Sequence, residues 1–540
     1  RTPTEELLTH IWTNVLGTNH IGIHDNFFEL GGDSILSIQV ITRAGRLGLK
    51  ITPPQMFQHP TVEGLAAEVA PHHADQVRPT GSVPLTPYQR SLIDEEHAGR
   101  DLRGLTYLLA TDSLEPDLLG AALEIVGGHH DALRLRCERS GDDWHQFLTD
   151  EDPVTRLHHH DLAGETEESA HAQIALGTQR IQASLDVCEG PLLQGALFEM
   201  CGGKGQRLLL VAHPLVADES SWGILLEDLA VAYQALKSGR KPVLPIKTTS
   251  FAEWARLQEE LAQSPEPLSE SSYWVPSGRP DAARADRSTN GSASRAAVEV
   301  RLGVEGFEAD TRTSGHELQA RINELALTAL ERAIRDSLGD RPGIEITADG
   351  RDHPLQGADL SRSVGCFSFS FPLKPPAVEH GDLRAALAET EVRLSGIPSG
   401  GIGHGLLRFG GPTETREALA ATRPAVGFHF GRKTQESFEG LGGRTEAVPC
   451  DPSPTSPTRS SSARFVIELQ GKEMSLDLGC ASDLYDEATM GNLVRKLREY
   501  VTELAGMESG PDQGVQSASE FPLSGLDQEA LASVLERFSK

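Results

Sequence analysis

The stretch "VAHPLVADESSWGILLEDL", residues 211–229, holds the first residues whose types could do chemistry. His213 leaves the apolar run "RLLLVAH", Asp218 follows five positions later, and a helix-like "WGILLEDLAVAY" comes next. An imidazole and a carboxylate between a strand and a helix suit proton transfer. Beside His213 stands Pro214, which has no titratable group and no side-chain donor or acceptor. The second candidate is Ser34 in "DNFFELGGDSILSIQV", directly after Gly-Gly-Asp and at the start of a helical pattern. A phosphodiester on that hydroxyl would face unpaired backbone N–H groups and the positive end of the helix dipole, and the glycines would keep the approach open. On spacing alone, simple capping of the helix by Ser34 or Asp33 is the plainer reading.

Two histidine clusters invite a metal reading: His129, His130 and Asp131 in "GGHHDALR", and the run His158, His159, His160. Three adjacent histidines cannot all face one ion from a regular element, so solvated loop histidines are expected at both places. The six cysteines, at 137, 188, 201, 366, 450 and 480, have neither CxxC nor finger spacing, which fits reduced thiols and argues against structural zinc.

These residues need scaffolds. Over the first seventy residues, "TPTEELLTHIWTNVLG" places Leu7, Leu8, Ile11, Trp12 and Val15 at helical spacing, and "DSILSIQVITRAGRLG" and "TVEGLAAEVA" are further helical segments. The segment "PHHADQVRPTGSVP" then loses periodicity and reads as a linker near residues 71–82. Beyond it, strand-like runs such as "LTYLLAT" and "QRLLLVAH" alternate with helical ones, the pattern of an α/β domain. The helical "HELQARINELALTALERAIRDSL" and the strand-like "GIEITADG" and "VGCFSFSFPL" suggest a second, similar lobe, roughly 251–540 after 83–250. "PCDPSPTSPTRSSSA" is turn-rich and reads as a flexible loop.

A chain of 540 residues exceeds one hydrophobic core. Its formal net charge of −29 argues against nucleic acid as a partner. No apolar run approaches the ~20 residues of a membrane span and no signal-peptide pattern stands at Arg1, so a soluble, cytoplasmic protein is expected.

The segment from Thr4 to Val69, with "IGIHDNFFELGGDS" and "FQHPTVEGLA", closely resembles a peptidyl carrier (thiolation) domain of nonribosomal peptide synthetases. The resemblance implies a four-helix bundle over residues 1–70. It also implies 4'-phosphopantetheine on Ser34, a phosphopantetheinyl transferase to install it, and flanking synthetase domains. Residues 83–540 resemble the epimerization branch of the condensation superfamily, implying a two-lobed, chloramphenicol-acetyltransferase-like α/β fold with a tunnel between the lobes. The resemblance rests on "VPLTPYQRSLID", "GGHHDALRLRCERSGDDWHQ", "SRSVGCFSFSFPL", "PSGGIGHGLLRF", "VGFHFGR" and "FPLSGLDQEAL", in the family's order, together with the stretch around His213.

Two departures bear on activity. The family's HHxxxDG stretch reads His213, Pro214, Leu215, Val216, Ala217, Asp218, Glu219 here, so the second, reacting histidine is Pro214 and the glycine is Glu219. The "EGHGR" stretch of epimerization domains reads Thr347 to Arg351, placing a neutral hydroxyl at the glutamate. His213, Pro214, Asp218, Glu219 and Thr347 are therefore expected to be degenerate active-site positions. His213 would be a core group, Asp218 a structural residue paired with Arg351, and Glu219 an obstruction at the tunnel mouth. Among noncatalytic relatives the chain most resembles the X domain of glycopeptide-antibiotic synthetases, whose pattern is roughly HRxxxDD. That resemblance implies docking of cytochrome P450 oxygenases beside the carrier-bound peptide. An inert remnant, a platform for another tailoring enzyme, or an epimerization domain converting a carrier-bound residue from L to D, is the alternative.

Overall fold

Apart from short omissions inside these spans, the computed structural model describes residues 3–68, 78–97, 104–275, 295–303, 315–338, 343–376, 381–421, 426–431, 441, 444–446, 463–470, 473–481 and 487–508. Ser34, residues 71–77 of the expected linker, the turn-rich stretch before Ala463 and the tail "FPLSGLDQEAL" lie outside the described residues.

The N-terminal unit is helical: α1 (Pro3–Leu16), α2 (Pro53–Gln58) and α3 (Val62–Glu68), with further helical residues at 36, 37, 40, 41 and 44. Leu8, Ile11 and Trp12 of α1 bury against Phe27, Val40, Met56 and Leu65. Phe27 organises the loop that leads to Ser34. Its ring meets Trp12 edge-on at 5.0 Å, and its carbonyl accepts the Gly32 N–H at 2.9 Å. A Cβ at position 32 would fall 2.4 Å from the Phe27 ring, so only glycine fits there. Gly31 adopts φ +95°, a left-handed conformation that side chains disfavour.

Among the described residues the large unit holds three sheets. A small one orders β1 (Gly81–Val83), β4 (Asp143–Leu148) and β3 (Leu135–Ser140). A five-stranded sheet contains β2 (Leu105–Thr111), β5 (Arg156–Asp161), β6 (Leu193–Glu199), β7 (Gln206–Ala212) and β12 (Arg444–Glu446), in the order β12-β2-β7-β6-β5. A six-stranded sheet is ordered β10-β9-β11-β13-β14-β8, from β8 (Arg295–Gly303), β9 (Ile344–Asp349), β10 (Ser368–Leu373), β11 (Val426–Gly431), β13 (Ala463–Gln470) and β14 (Glu473–Ala481). The helices that matter below are α4 (Pro116–His129), α5 (Glu219–Lys237), α6 (Phe251–Gln263), α7 (Gly315–Leu338) and α8 (Glu487–Glu508).

Sequential lobes split near residue 250 do not describe this arrangement fully. Strand β12 comes from the second half of the chain yet pairs antiparallel with β2, Thr445 opposite Leu109, on the edge of the first-half sheet. One continuous core also joins the halves, with Leu225 and Tyr233 of α5, Trp254 of α6, Phe367, Phe428 of β11 and Leu497 of α8 all buried in it. At the far side α7 and α8 are tied by the Tyr500 hydroxyl on Asp336 Oδ2, at 2.5 Å.

Strand β7 runs from Leu208 to Ala212 without an exposed residue, as expected for a central strand covered on both faces. It delivers His213 into a turn at residues 214–216, and α5 begins at once. The helix starts there because Asp218 is its N-cap. The Asp218 carboxylate accepts the Ser221 N–H at 2.9 Å, while the Asp218 N–H reaches Ser221 Oγ at 3.4 Å.

Candidate functional site: the junction of the two halves

The Asp218 cap is the centre of a network joining the two halves. Its Oδ1 also accepts the Ser221 hydroxyl at 2.7 Å. Its Oδ2 accepts Arg351 Nη1 at 2.7 Å and the Phe367 N–H at 3.0 Å. Arg351 Nη2 donates to the Ser363 carbonyl at 2.8 Å and to Ser221 Oγ at 3.2 Å, and the guanidinium lies over the Phe367 ring at 4.6 Å. Asp349 Oδ1 sits 3.2 Å from the same Nη1, so one guanidinium serves two carboxylates, Asp218 buried and Asp349 partly buried. Burial pushes the Asp218 carboxyl above the usual range, with Asp349 adding to the rise and Arg351 opposing it. Burial would raise Asp349 as well, but Arg351 and the Ser220 hydroxyl outweigh it and hold that carboxyl low. Gly350 is required between them. A Cβ there would lie 2.5 Å from the Phe367 carbonyl. The Arg351 partner expected for Asp218 is thus in place.

His213 is 3% exposed; its N–H donates to the Leu192 carbonyl at 2.8 Å and its Nδ1 accepts the Leu215 N–H at 3.2 Å. Burial lowers its pKa to about 4. Pro214 is buried in the turn that follows. Thr347, 1% exposed, lies in β9 with Ser370 of β10 on one side and His429 of β11 on the other. Glu219, the first residue of α5, brings Oε2 to 3.1 Å from His429 Nε2. The approach is not aligned as a hydrogen bond: both His429 ring nitrogens are buried without a hydrogen-bond partner. No local pattern in the sequence signals this contact.

The other histidines correct the expectation of solvated loops. His129 ends α4, and His130, 2% exposed, caps it and bonds Asp228 of α5 at 2.9 Å. Asp228 is also held by Arg362, which bonds Glu227 besides. The three groups His129, His130 and Asp228 lie within metal-ligand range of one another. Arg362 already engages that carboxylate, so the cluster reads as an interior clamp between α4, α5 and the 362 loop. Both groups at the end of α4 are driven inward by the helix packing on α5, which the pattern "GGHHDALR" did not disclose. His158–His160 lie on β5, an edge strand rather than a loop; His158 and His159 are exposed and His160 stacks on Phe198 at 5.0 Å.

Burial also lowers the pKa of His129 to about 4, with His130 adding to the effect. His129 and His213 therefore stay neutral in the fold at pH values where the unfolded chain protonates them. The unfolded state binds more protons between about pH 6.5 and about pH 4, so their contribution to stability falls as pH falls through that window. Urea midpoints taken from about pH 7.5 to about pH 4.5 are expected to drop, and to drop less steeply in His213→Gln. Parallel curves for the two proteins would remove His213 from this account.

For a phosphopantetheine arm, the described residues next to Ser34 fit. The Phe27–Gly32 turn is pinned by packing, and nothing lies within 4 Å of the space a side chain would take at Gly31. The thiol-ended arm would supply a thioester on which acyl groups ride.

Comparison with known proteins agrees with this geometry. The family model described as "Phosphopantetheine attachment site" matches residues 6–69, and that described as "Condensation domain" matches residues 80–522. Tyrocidine synthase 2 of Brevibacillus parabrevis is 30% identical over 562 residues, 99% of this chain but 15% of that protein. One of the linear gramicidin synthase subunits of the same organism is 32% identical over 553 residues, 98% of this chain and 11% of that protein, so the chain spans about a tenth of that relative's length. Among solved structures, the epimerization domain from the third module of tyrocidine synthetase B is similar with a TM-score of 0.67 and 25% identity, over 80% of this chain and 97% of that one. The complex of the X-domain and OxyB from teicoplanin biosynthesis is similar in fold, with a TM-score of 0.56 and 20% identity over 79% of this chain and 94% of that one. Among the described residues no helix is long and apolar enough to cross a membrane. The matches over residues 6–69 and 80–522 place the chain, whose two halves are locked by the network around Asp218, in the condensation-domain family, as a carrier–condensation didomain of the nonribosomal peptide synthetase type.

Proposed function

We propose that Ser34 carries a peptidyl thioester on 4'-phosphopantetheine and that the condensation-type domain is a docking platform recruiting a tailoring oxygenase, a cytochrome P450, to that peptide. The observation that carries this reading is the contrast at the half-to-half junction. The framework is kept, with Asp218, Arg351 and Ser221 bonded to one another, while the family's two proton-transfer positions hold Pro214 and Thr347. Neither can act as a base near neutral pH. The X-domain seen with OxyB has a similar fold, which supports a platform that needs a surface and no base. Docking beside the arm would turn encounter with the peptide into a near-intramolecular event. A net charge of −29 favours a partner with a basic face and a salt-sensitive complex.

The test is binding of P450s encoded beside this chain's gene to the phosphopantetheinylated didomain, by native gel shift and calorimetry. A one-to-one complex that weakens as salt is raised is expected; no complex with any of them would overturn the recruitment reading.

A second reading, an acid–base site acting on a carrier-bound residue as in epimerization domains, is favoured by one observation: the Glu219–His429 approach beside the vacated positions. The similarity to the tyrocidine synthetase epimerization domain supports it.

A further inference from the structure

We propose that Glu219 and His429 form a relocated acid–base pair, with His429 as the base and Glu219 holding it, that exchanges the α-proton of a carrier-bound aminoacyl or peptidyl thioester. The inference deepens the second reading above and is independent of P450 docking.

Three observations converge on the pair. The first is chemical type and position. The residue at the motif glycine is a glutamate, at the first turn of α5, and its carboxylate crosses the junction to β11 of the other half. It lies 3.1 Å from His429 Nε2. The second is register. His429 on β11 is directly opposite Thr347 on β9, which is opposite Ser370 on β10. Cross-strand partners share a face of the sheet, so an imidazole stands one strand away from the position that lacks its glutamate, with two hydroxyls along the same row. The third is the state of the ring. His429 is 8% exposed, and Nδ1 and Nε2 are both buried without a hydrogen-bond partner. Leaving both nitrogens of a buried imidazole without a hydrogen bond is costly, and a ligand or a reaction is one use that accounts for such a group. The structural histidines His213 and His130 each keep one ring nitrogen paired, whereas His429 keeps neither.

The step balances without a further reagent. The Cα–H bond of the thioester breaks, its electron pair moves into the enolate, and the proton forms an N–H bond at His429 Nδ1. The imidazolium that results is stabilised through Nε2–H by the Glu219 carboxylate, as a carboxylate orients a base in other dyads. Return of a proton from the imidazolium to Cα regenerates the thioester and, in deuterated water, leaves a deuterium there. Thr347 offers a hydroxyl on the same face for the enolate oxygen, while the Ser370 hydroxyl donates to Glu345 Oε1 at 3.2 Å. Entry of the acyl arm requires the two halves to part at this junction, because the ring nitrogens are closed off from solvent in the described state.

The experiment loads the full didomain with an aminoacyl- or dipeptidyl-pantetheine on Ser34 in deuterated water and follows the mass of the acyl group after release. Wash-in of one deuterium above the rate of the same acyl-pantetheine free in solution is expected. His429→Gln is expected to reduce it to that background and Glu219→Gln to slow it at least tenfold, with unchanged thermal unfolding showing that both variants fold. Wash-in that both variants leave intact would overturn the pair while sparing the second reading. No wash-in by the unsubstituted protein, with either substrate, would overturn both. P450 binding by the same two variants should be unchanged, which separates this result from the platform reading.

Discussion

Asp218→Ala is expected to destabilise the large domain by about 3–5 kcal/mol, the range for deleting one partner of a buried ion pair. The loss has two sources. Arg351 would keep its charge in a site where burial disfavours it, with Asp349 as its remaining carboxylate. Helix α5 would lose its cap, about 1 kcal/mol by itself, and the Phe367 N–H and Ser221 hydroxyl would lose their acceptor. Asp218→Asn separates these sources. Asparagine can still accept from the Ser221 N–H, but its amide N–H₂ would face the Arg351 and Phe367 donors, so most of the loss should remain. Urea unfolding followed by tryptophan fluorescence reads the effect, since Trp222 and Trp254 are buried in the same core. A loss below about 1 kcal/mol in both variants would show that Asp218 does not hold the halves together.

Ser34→Ala is expected to abolish modification altogether. Incubated with coenzyme A and a broad-specificity phosphopantetheinyl transferase, the unsubstituted chain should gain one phosphopantetheine by intact mass and the variant none. The effect is all-or-none because alanine offers no oxygen for the phosphodiester. The loop before position 34 is set by Phe27 and Gly32, so the fold of the variant should be unchanged. A gain of mass in Ser34→Ala would move the attachment to another hydroxyl and with it the geometry of every later encounter. The variant also serves as the blank for the exchange experiment, since it cannot be loaded.

What the residues disclosed in advance, and what they hid, divides along a physical line. His213, Pro214 and Asp218 were legible because a strand, a turn and a helix cap are local events written in consecutive residues. That position 214 has no base followed from the proline side chain alone. The carrier segment was legible through its resemblance, carried by consecutive residues such as Gly31, Gly32 and Asp33 directly before Ser34. Contacts between distant segments were harder. Arg351 could be named as the partner of Asp218 only by resemblance, and the role of Ser221 as a bridge between them needs the capped geometry of α5. The Glu219–His429 approach depends on how β11 registers against β9, which no local pattern records. His129 and His130 misled because polarity suggested solvent, whereas Asp228, from another helix, gives His130 an interior partner. "HHD" in one helix end and "EDL" ten residues into α5 were the available signals, but nothing in the sequence said they would meet.

The short strand β12 has a consequence for synthesis of the chain. On the ribosome, β2, β5, β6 and β7 emerge and can pair long before Arg444–Glu446 is made, and until then the outer edge of β2 offers unpaired N–H and C=O groups. An open edge on a nascent sheet invites pairing with a neighbouring polypeptide, a hazard that grows with the wait. The last segment of that sheet therefore acts as a late seal, and shortening the chain anywhere before it would leave the first half translated, folded and sticky. Anyone transplanting modules of such an assembly line would do best to move the seal together with the sheet it closes.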